Sequence, residues 1–299
     1  RYFQGLRATD ILKQKLPMAL IHEAIGEIVW DPKGEFKAGE RVVMIPNTPM
    51  EEDSVIAENY LRTSKFRASG FDGFMQDVVN MRRDRIVRVP RNINPFVAAF
   101  TELVSVSVHA IDRFDKIAHE RRKTVGIWGD GNLGYITAIF FKAIFPEVKL
   151  CIFGLDENKL SDFTFADDTF SITSIPDDLS IDHAFECVGG EGSPKAINQI
   201  IDYINPEGTI SILGVSENPV AINTRMILEK GLRMFGSSRS GRKDFEKTIA
   251  LYQSNPEIVE YLQNIIGATV NVHTVEDMKK AFELDRQNAF GKTIMIWNK

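Results

Sequence analysis

The stretch GIWGDGNLGYITAIF, residues 126–140, decides how the rest of the chain reads. Gly129, Gly131 and Gly134 form G-x-G-x-x-G, a spacing that also arises in plain turns. Here it follows the apolar run TVGIW (124–128) and opens LGYITAIFFKAIF (133–145), whose apolar residues recur at helical spacing. The glycines therefore sit between a strand and a helix, the context in which such a turn binds a dinucleotide. Each has a physical task there. Gly129 permits the tight turn, Gly131 lets backbone approach a pyrophosphate, and Gly134 lets the helix pack on the strand. The helix N-terminus, at Asn132 and Leu133, adds backbone N–H groups and the positive end of the helix dipole.

Working outward, the same rhythm continues. VKLCIFG (148–154) reads as a strand, IDHAFECVG (181–189) as a strand, SPKAINQIIDYI (193–204) as a helix and GTISILGV (208–215) as a strand. Strands alternating with helices predict a doubly wound parallel sheet of α/β class over residues 106–244. An NAD site carries an acidic residue about 20 positions beyond the glycines, where it bonds the ribose 2′-hydroxyl. KLCIFG ends instead on Gly154, which leaves room for a 2′-phosphate and removes a carboxylate that would repel it. Lys159 reads either as a positive charge for that phosphate or as an exposed helix lysine. Asp156 and Glu157 lie close enough in sequence to contact a ribose. NADPH is expected over NADH.

The first hundred residues have another texture. Short β-like runs, AIGEIVW (24–30), RVVMI (41–45), FMQDVV (74–79) and RIVRVP (85–90), are separated by turn signals such as Asp31-Pro32-Lys33-Gly34. These predict a β-rich domain, with FVAAFTELVSVSVHAIDRF (96–114) as the helical passage out of it. The last stretch mixes two helices, KDFEKTIALYQS (243–254) and VEDMKKAFELD (275–285), with a closing strand, KTIMIW (292–297). Residues 245–299 are therefore expected to rejoin 1–105 in one domain.

Composition narrows the function classes. The chain has 299 residues, 43% hydrophobic and 26% charged, with net charge −5, as in ordinary globular proteins. No basic tract interleaved with aromatics speaks for nucleic acid. No apolar run approaches the about 18 residues of a membrane span. The two cysteines, Cys151 and Cys187, lie in apolar strand-like runs and offer no disulfide framework, which suits a reducing compartment such as the cytoplasm. The opening RYFQG is abrupt and reads either as native sequence preceded by further residues or as the remnant of a linker.

LIHEAIGEIVW (20–30) puts His22 beside Glu23 in an apolar run. Gly26 occupies the position of the second histidine of H-E-x-x-H, so the pair is not that metalloprotease motif. By spacing alone a lone strand histidine is more often structural than a ligand. Glu102, at the edge of an apolar helix, needs a partner: a cation, a helix terminus or solvent.

Taken in order, several stretches resemble the zinc-dependent medium-chain dehydrogenase/reductase superfamily. LPMALIHEAIGEIV (16–29) with GEFKAGERVVM (34–44) is similar to its ligand-histidine strand and following turn. TELVSVSVHA (101–110) resembles the helix of its polyol dehydrogenases. GIWGDGNLGYITA, DHAFECVGG (182–190), GTISILGV and GKTIMIW (291–297) resemble its cofactor-domain landmarks and closing strand. Within it, GIWGDGNLGYITAI, AFECVGG (184–190) and GSSRSGRKDF (236–245) are similar to the ribulose-5-phosphate reductases, or ribitol-5-phosphate dehydrogenases, of bacterial teichoic acid and capsule synthesis.

The resemblance implies a GroES-like catalytic domain (1–105 and 245–299) and a Rossmann NADP-binding domain (106–244). It implies reduction of D-ribulose 5-phosphate to D-ribitol 5-phosphate by NADPH, with a partner cytidylyltransferase making CDP-ribitol from the product. Residue by residue, the zinc-ligand and catalytic positions fall on His22, Glu23 and Glu102, and a cofactor-approaching position falls on Lys292. Arg1 falls where relatives place a relay histidine, and an arginine there is expected to grip a phosphate or hydroxyl instead. The family's first zinc ligand, a cysteine, would lie upstream of Arg1, so an N-terminal stretch is expected to precede this chain. The four-cysteine structural zinc lobe is replaced by cysteine-free sequence at 47–70, so one catalytic zinc and no structural zinc is expected. Arg239 and Lys243 are further phosphate candidates, for cofactor or substrate. A homodimer pairing through TISILGV (209–215) is also implied. The rival readings are another polyol or alcohol dehydrogenase of the superfamily, a zinc-independent enone reductase, which generally lacks the ligand histidine, and a nucleotide-binding relative that has lost its metal site.

Overall fold

The computed structural model describes residues 3, 9–288 and 290–298. Arg1 lies outside them. Two units are present: Arg1–Ser105 with Arg239–Lys299, and Val106–Ser238.

The first unit begins with α1 (Thr9–Lys15), β1 (Ile25–Glu27), β2 (Arg41–Met44), β3 (Asn47–Thr48), β4 (Lys65–Phe66) and β5 (Ile86–Arg88). Strands β1, β2 and β5 form an antiparallel sheet in that order, and β3 pairs with β4. Val42, Met44 and Ile86 of this sheet meet Phe36 and Phe74 in a small apolar core. Next come α2 (Pro95–Ala98) and α3 (Thr101–Ile117), whose first turn belongs to this unit. Asn94 accepts the Phe96 N–H as the α2 cap, with Pro95 in the first turn, where its missing N–H costs nothing.

The run FMQDVV, expected as a strand, forms none. Its backbone is committed elsewhere: the N–H groups of Gly73, Phe74 and Met75 donate to the carbonyls of Ala19, Ile21 and Leu20. A β-carbon on Gly73 would fall 2.2 Å from the Ile21 carbonyl oxygen, so only glycine fits against that segment.

The second unit contains β6 (Thr124–Trp128), α4 (Asn132–Ile144), β7 (Lys149–Gly154), α5 (Glu157–Ser161), β8 (Asp168–Ser171), β9 (Ile181–Glu186), α6 (Ser193–Tyr203), β10 (Ile204–Ile212), α7 (Thr224–Glu229) and β11 (Arg233–Gly236). All six strands pair in parallel, in the order β11-β10-β9-β6-β7-β8. This is the doubly wound Rossmann order, and the order of the strands reverses at β6, which β7 flanks on one side and β9 on the other. The near-continuous burial of β6, β7 and β9 is that of strands covered on both faces. Trp128 stacks on Phe153 at 3.8 Å within the core. Cys151 and Cys187 are both free and buried. TISILGV, expected at a dimer-forming edge, lies largely in β10, which is paired on both sides; the edge strand beside it is β11.

The chain completes the first unit with α8 (Arg242–Ser254), α9 (Pro256–Gln263), β12 (Ile266–Val272), α10 (Val275–Gln287) and β13 (Lys292–Trp297). Thr274 and Asp277 form a reciprocal capping box at the start of α10, and β12 pairs with β13 in parallel.

Candidate functional site

In the first unit the structure gathers three sequence-predicted residues. One ligand atom each from His22, Glu23 and Glu102 lies within 4.8 Å of the others. His22 Nε2 is 3.7 Å from a Glu102 carboxylate oxygen. Two local devices place them. Ile21 sits in the left-handed region at φ 66°, a conformation a β-branched residue adopts only under constraint. The carbonyls of Leu20 and Ile21 that accept from Met75 and Phe74 supply that constraint, and His22 is the next residue. Glu102 stands in the first turn of α3, where the helix dipole favours a carboxylate.

The electrostatics follow from burial. Glu102 is buried, and desolvation, then the neighbouring Glu23 charge, push its carboxyl up to about 8; Lys292 and Arg239 pull the other way. Desolvation lowers the His22 imidazole, with Glu23 opposing and Lys292 and Arg239 assisting. His22 is therefore neutral near pH 7, the state in which a ring nitrogen can bind a metal. Both oxygens of Glu23 accept from Lys292 Nζ, at 2.5 and 2.6 Å. Phe66 of β4 packs edge-on against the His22 ring at 5.2 Å.

In the second unit the six-residue turn behaves as its glycines require. Gly129 has φ 130°, and a β-carbon there would meet the Cys187 backbone at 3.0 Å. A β-carbon on Gly134 would fall 1.9 Å from the Gly129 carbonyl oxygen, whereas one on Gly131 would meet nothing within 4 Å. Packing thus demands Gly129 and Gly134, while Gly131 faces open space. Asn132 and Leu133 start α4, with Gly131 as its N-cap.

The expectation for Gly154 needs correction. The space above it is not empty: a β-carbon there would lie 2.7 Å from Asp130 Cβ and 2.8 Å from Asp130 Oδ2. That oxygen accepts the N–H groups of Leu155 at 2.7 Å and Asp156 at 2.8 Å. Asp130 was missed because it is the variable position of G-x-G-x-x-G. Asp156 caps α5 by accepting from Asn158 and Lys159, so its carboxylate is already engaged; Lys159 lies in α5.

Glu186 was also missed. Fully buried at the end of β9, it accepts from Val188 and Gly189 with one oxygen and from Gly214 with the other. It ties together two loops at the carboxyl end of the sheet, where doubly wound folds bind ligands.

A dinucleotide-type turn with an imidazole–carboxylate cluster defines the class, a metal-assisted nicotinamide-nucleotide dehydrogenase. The comparisons narrow it. A zinc-binding dehydrogenase family model matches residues 161–254. Ribulose-5-phosphate reductase 2 of Staphylococcus aureus (strain NCTC 8325 / PS 47) is 55% identical over 99% of this chain and 87% of its own length. The ribulose-5-phosphate reductase of Bacillus spizizenii is 53% identical with the same coverage. The crystal structure of S. aureus TarJ in complex with NADPH superposes with a TM-score of 0.87 at 50% identity, covering 97% of this chain and 85% of that one. L-idonate 5-dehydrogenase of Escherichia coli shares the fold at 18% identity, with a TM-score of 0.82 over 94% of this chain and 82% of that one. The chain belongs to the ribulose-5-phosphate reductase family of zinc-binding, medium-chain dehydrogenases.

Proposed function

We propose that the protein reduces D-ribulose 5-phosphate to D-ribitol 5-phosphate with NADPH and one zinc ion. The observation that carries this reading is the His22–Glu23–Glu102 cluster in a chain more than half identical to named ribulose-5-phosphate reductases. The product would supply CDP-ribitol for teichoic acid or capsule, through a cytidylyltransferase partner.

The donor set fits zinc. It offers one imidazole nitrogen and carboxylate oxygens, both zinc ligand types, and the buried Glu102 carboxyl, held protonated by its surroundings, would ionise with a cation beside it. His22 and Glu102 would hold the ion, with Glu23 beside them. When bound, zinc supplies Lewis-acid polarisation of the C2 carbonyl. NADPH supplies the hydride. The chain's own residues do the rest. His22, kept neutral, presents a nitrogen lone pair. Lys292 fixes Glu23 and balances its charge. Gly131 leaves the backbone of the turn bare for a pyrophosphate, while Asn132 and Leu133 offer N–H groups at the α4 N-terminus. Glu186 holds the adjoining loops in register.

In this reading the first unit is the GroES-like catalytic domain and the second is the NADP-binding domain. Among the described residues no helix is long and apolar enough to cross a membrane, and the two buried free thiols suit the cytoplasm. A homodimer would use the edge strand β11 rather than β10. The direct test compares oxidation of NADPH and NADH with ribulose 5-phosphate and with ribulose. Equal rates with both sugars, or a strong NADH preference, would defeat the assignment.

A further inference from the structure

The family relationship names a phosphorylated sugar but no residue that reads its phosphate. Such a group must offer positive charge near the metal cluster, carry no carboxylate partner of its own, and be held in register with the metal ligands. In the first unit Arg239 meets all three conditions. Its guanidinium lies over the Phe66 ring at 4.7 Å, and that ring packs against His22 at 5.2 Å. Arg239 acts electrostatically on both His22 and Glu102. Among the described residues no carboxylate makes a salt bridge with it, unlike Arg242 at the start of α8, which pairs with Glu246.

The backbone is built to present this side chain. Arg239 has φ 58°, the left-handed region that a non-glycine residue occupies at a cost of order 1 kcal/mol or more. The neighbouring residues are pinned. Ser240 Oγ lies 2.6 Å from Ser105 Oγ, and Ser105 Oγ donates to the Glu102 carbonyl at 2.7 Å. The Gly241 N–H donates to Asp244, and the Arg242 N–H to Glu58. The loop that carries Arg239 is thus hydrogen-bonded to the helical turn that carries Glu102. A planar, permanently charged fork at that place suits bidentate contact with phosphate oxygens. A five-carbon phosphosugar with its keto carbon at the metal cluster would direct its phosphate toward the guanidinium, which the Phe66 ring sets beside His22.

We infer that Arg239 forms the subsite for the substrate's phosphate and sets the preference for a phosphorylated over a free sugar. This rests on the reaction proposed above. Arg239 and Lys243 are both exposed, but it is Arg239 that stacks over the Phe66 ring packed against His22, whereas Lys243 stands on the first turn of α8.

The test uses Arg239→Gly and Arg239→Lys in the full-length, zinc-loaded enzyme. Glycine accepts the left-handed backbone without strain, so it removes the guanidinium alone. The ratio of kcat/KM for ribulose 5-phosphate to that for ribulose should fall about 100-fold in Arg239→Gly, the scale of a charge-assisted hydrogen-bonded pair. Most of the fall should come from KM for the phosphosugar. Arg239→Lys should recover part of the ratio, since it keeps the charge but loses the fork. An unchanged ratio, an equal loss on both sugars, or a loss confined to KM for NADPH would overturn the inference. Wild-type enzyme that fails to reduce ribulose 5-phosphate would instead defeat the proposed reaction, so the two failures are distinguishable.

Discussion

Lys292 Nζ lies 2.5 and 2.6 Å from the two carboxylate oxygens of Glu23, pairing residues 269 positions apart. Both Glu23 oxygens are engaged by this pair, whereas the Glu102 carboxylate is buried and faces His22. Removing Glu102 should therefore cost more metal affinity than removing Glu23. Glu102→Gln is expected to weaken zinc binding by at least about 100-fold, and Glu23→Gln by about 10-fold, as for a group that orients ligands. Competition with a chromophoric chelator measures both. Equal losses, or a larger loss for Glu23→Gln, would show that the pair with Lys292 breaks when metal binds.

Metal binding should be coupled to protons with a definite sign. Burial and the Glu23 charge raise the Glu102 carboxyl to about 8, so it is protonated at pH 7 in the metal-free protein. Zinc requires the carboxylate, so the ion must displace that proton. Apparent zinc affinity should rise as pH increases from 6 to 8 and then level off. Isothermal titration in buffers of different ionisation enthalpy would count the protons released; none released at pH 6.5 would contradict the assignment of Glu102 as a ligand.

The glycines of the turn separate into two kinds. Gly134→Ala places a methyl 1.9 Å from the Gly129 carbonyl oxygen, whereas Gly131→Ala meets nothing within 4 Å. The first should destabilise the second unit by about 3 kcal/mol, within the range of severe packing defects, and abolish NADPH binding as a consequence. The second should keep the wild-type Tm and weaken NADPH at least about 10-fold, because its methyl enters the space a pyrophosphate needs. Thermal unfolding with fluorescence titration of NADPH distinguishes them. A Gly131→Ala protein with undiminished NADPH affinity would place the pyrophosphate elsewhere.

How legible this was in the sequence varied with range. The four central strands of the second unit's sheet follow from local signals, the apolar runs, helical periodicity and glycine spacing of 124–215, whereas the edge strands β8 and β11 carry no such run and were not expected. The metal cluster was legible only through resemblance, because His22 and Glu102 lie 80 positions apart in a chain whose spacing alone suggests a structural histidine. The pair of Lys292 with Glu23 has no local signature. FMQDVV carries strand propensity, yet its neighbour Gly73 packs against the carbonyls of Leu20 and Ile21 and takes the backbone out of a ladder. Propensity loses there to a close approach set by tertiary contact.

Asp130 tests the corrected reading of Gly154. Its carboxylate satisfies the N–H groups of Leu155 and Asp156 at the end of β7, the region that reads the ribose in folds of this kind. Asp130→Asn keeps an acceptor there but removes the charge that would repel a 2′-phosphate. The ratio of kcat/KM for NADPH to that for NADH should rise several-fold, with Tm changed little. A ratio that stays constant or moves toward NADH would mean the 2′-phosphate is bound away from this carboxylate.

Zinc removal is the sharpest test of metal-assisted reduction of a phosphosugar by this chain. Full-length protein would be stripped with chelator, its metal content measured, and NADPH oxidation followed with ribulose 5-phosphate before and after readdition of zinc. Activity should be lost on stripping, return in proportion to zinc up to one ion per chain, and fail to return in His22→Ala. Undiminished reduction by the stripped protein would contradict metal-assisted reduction.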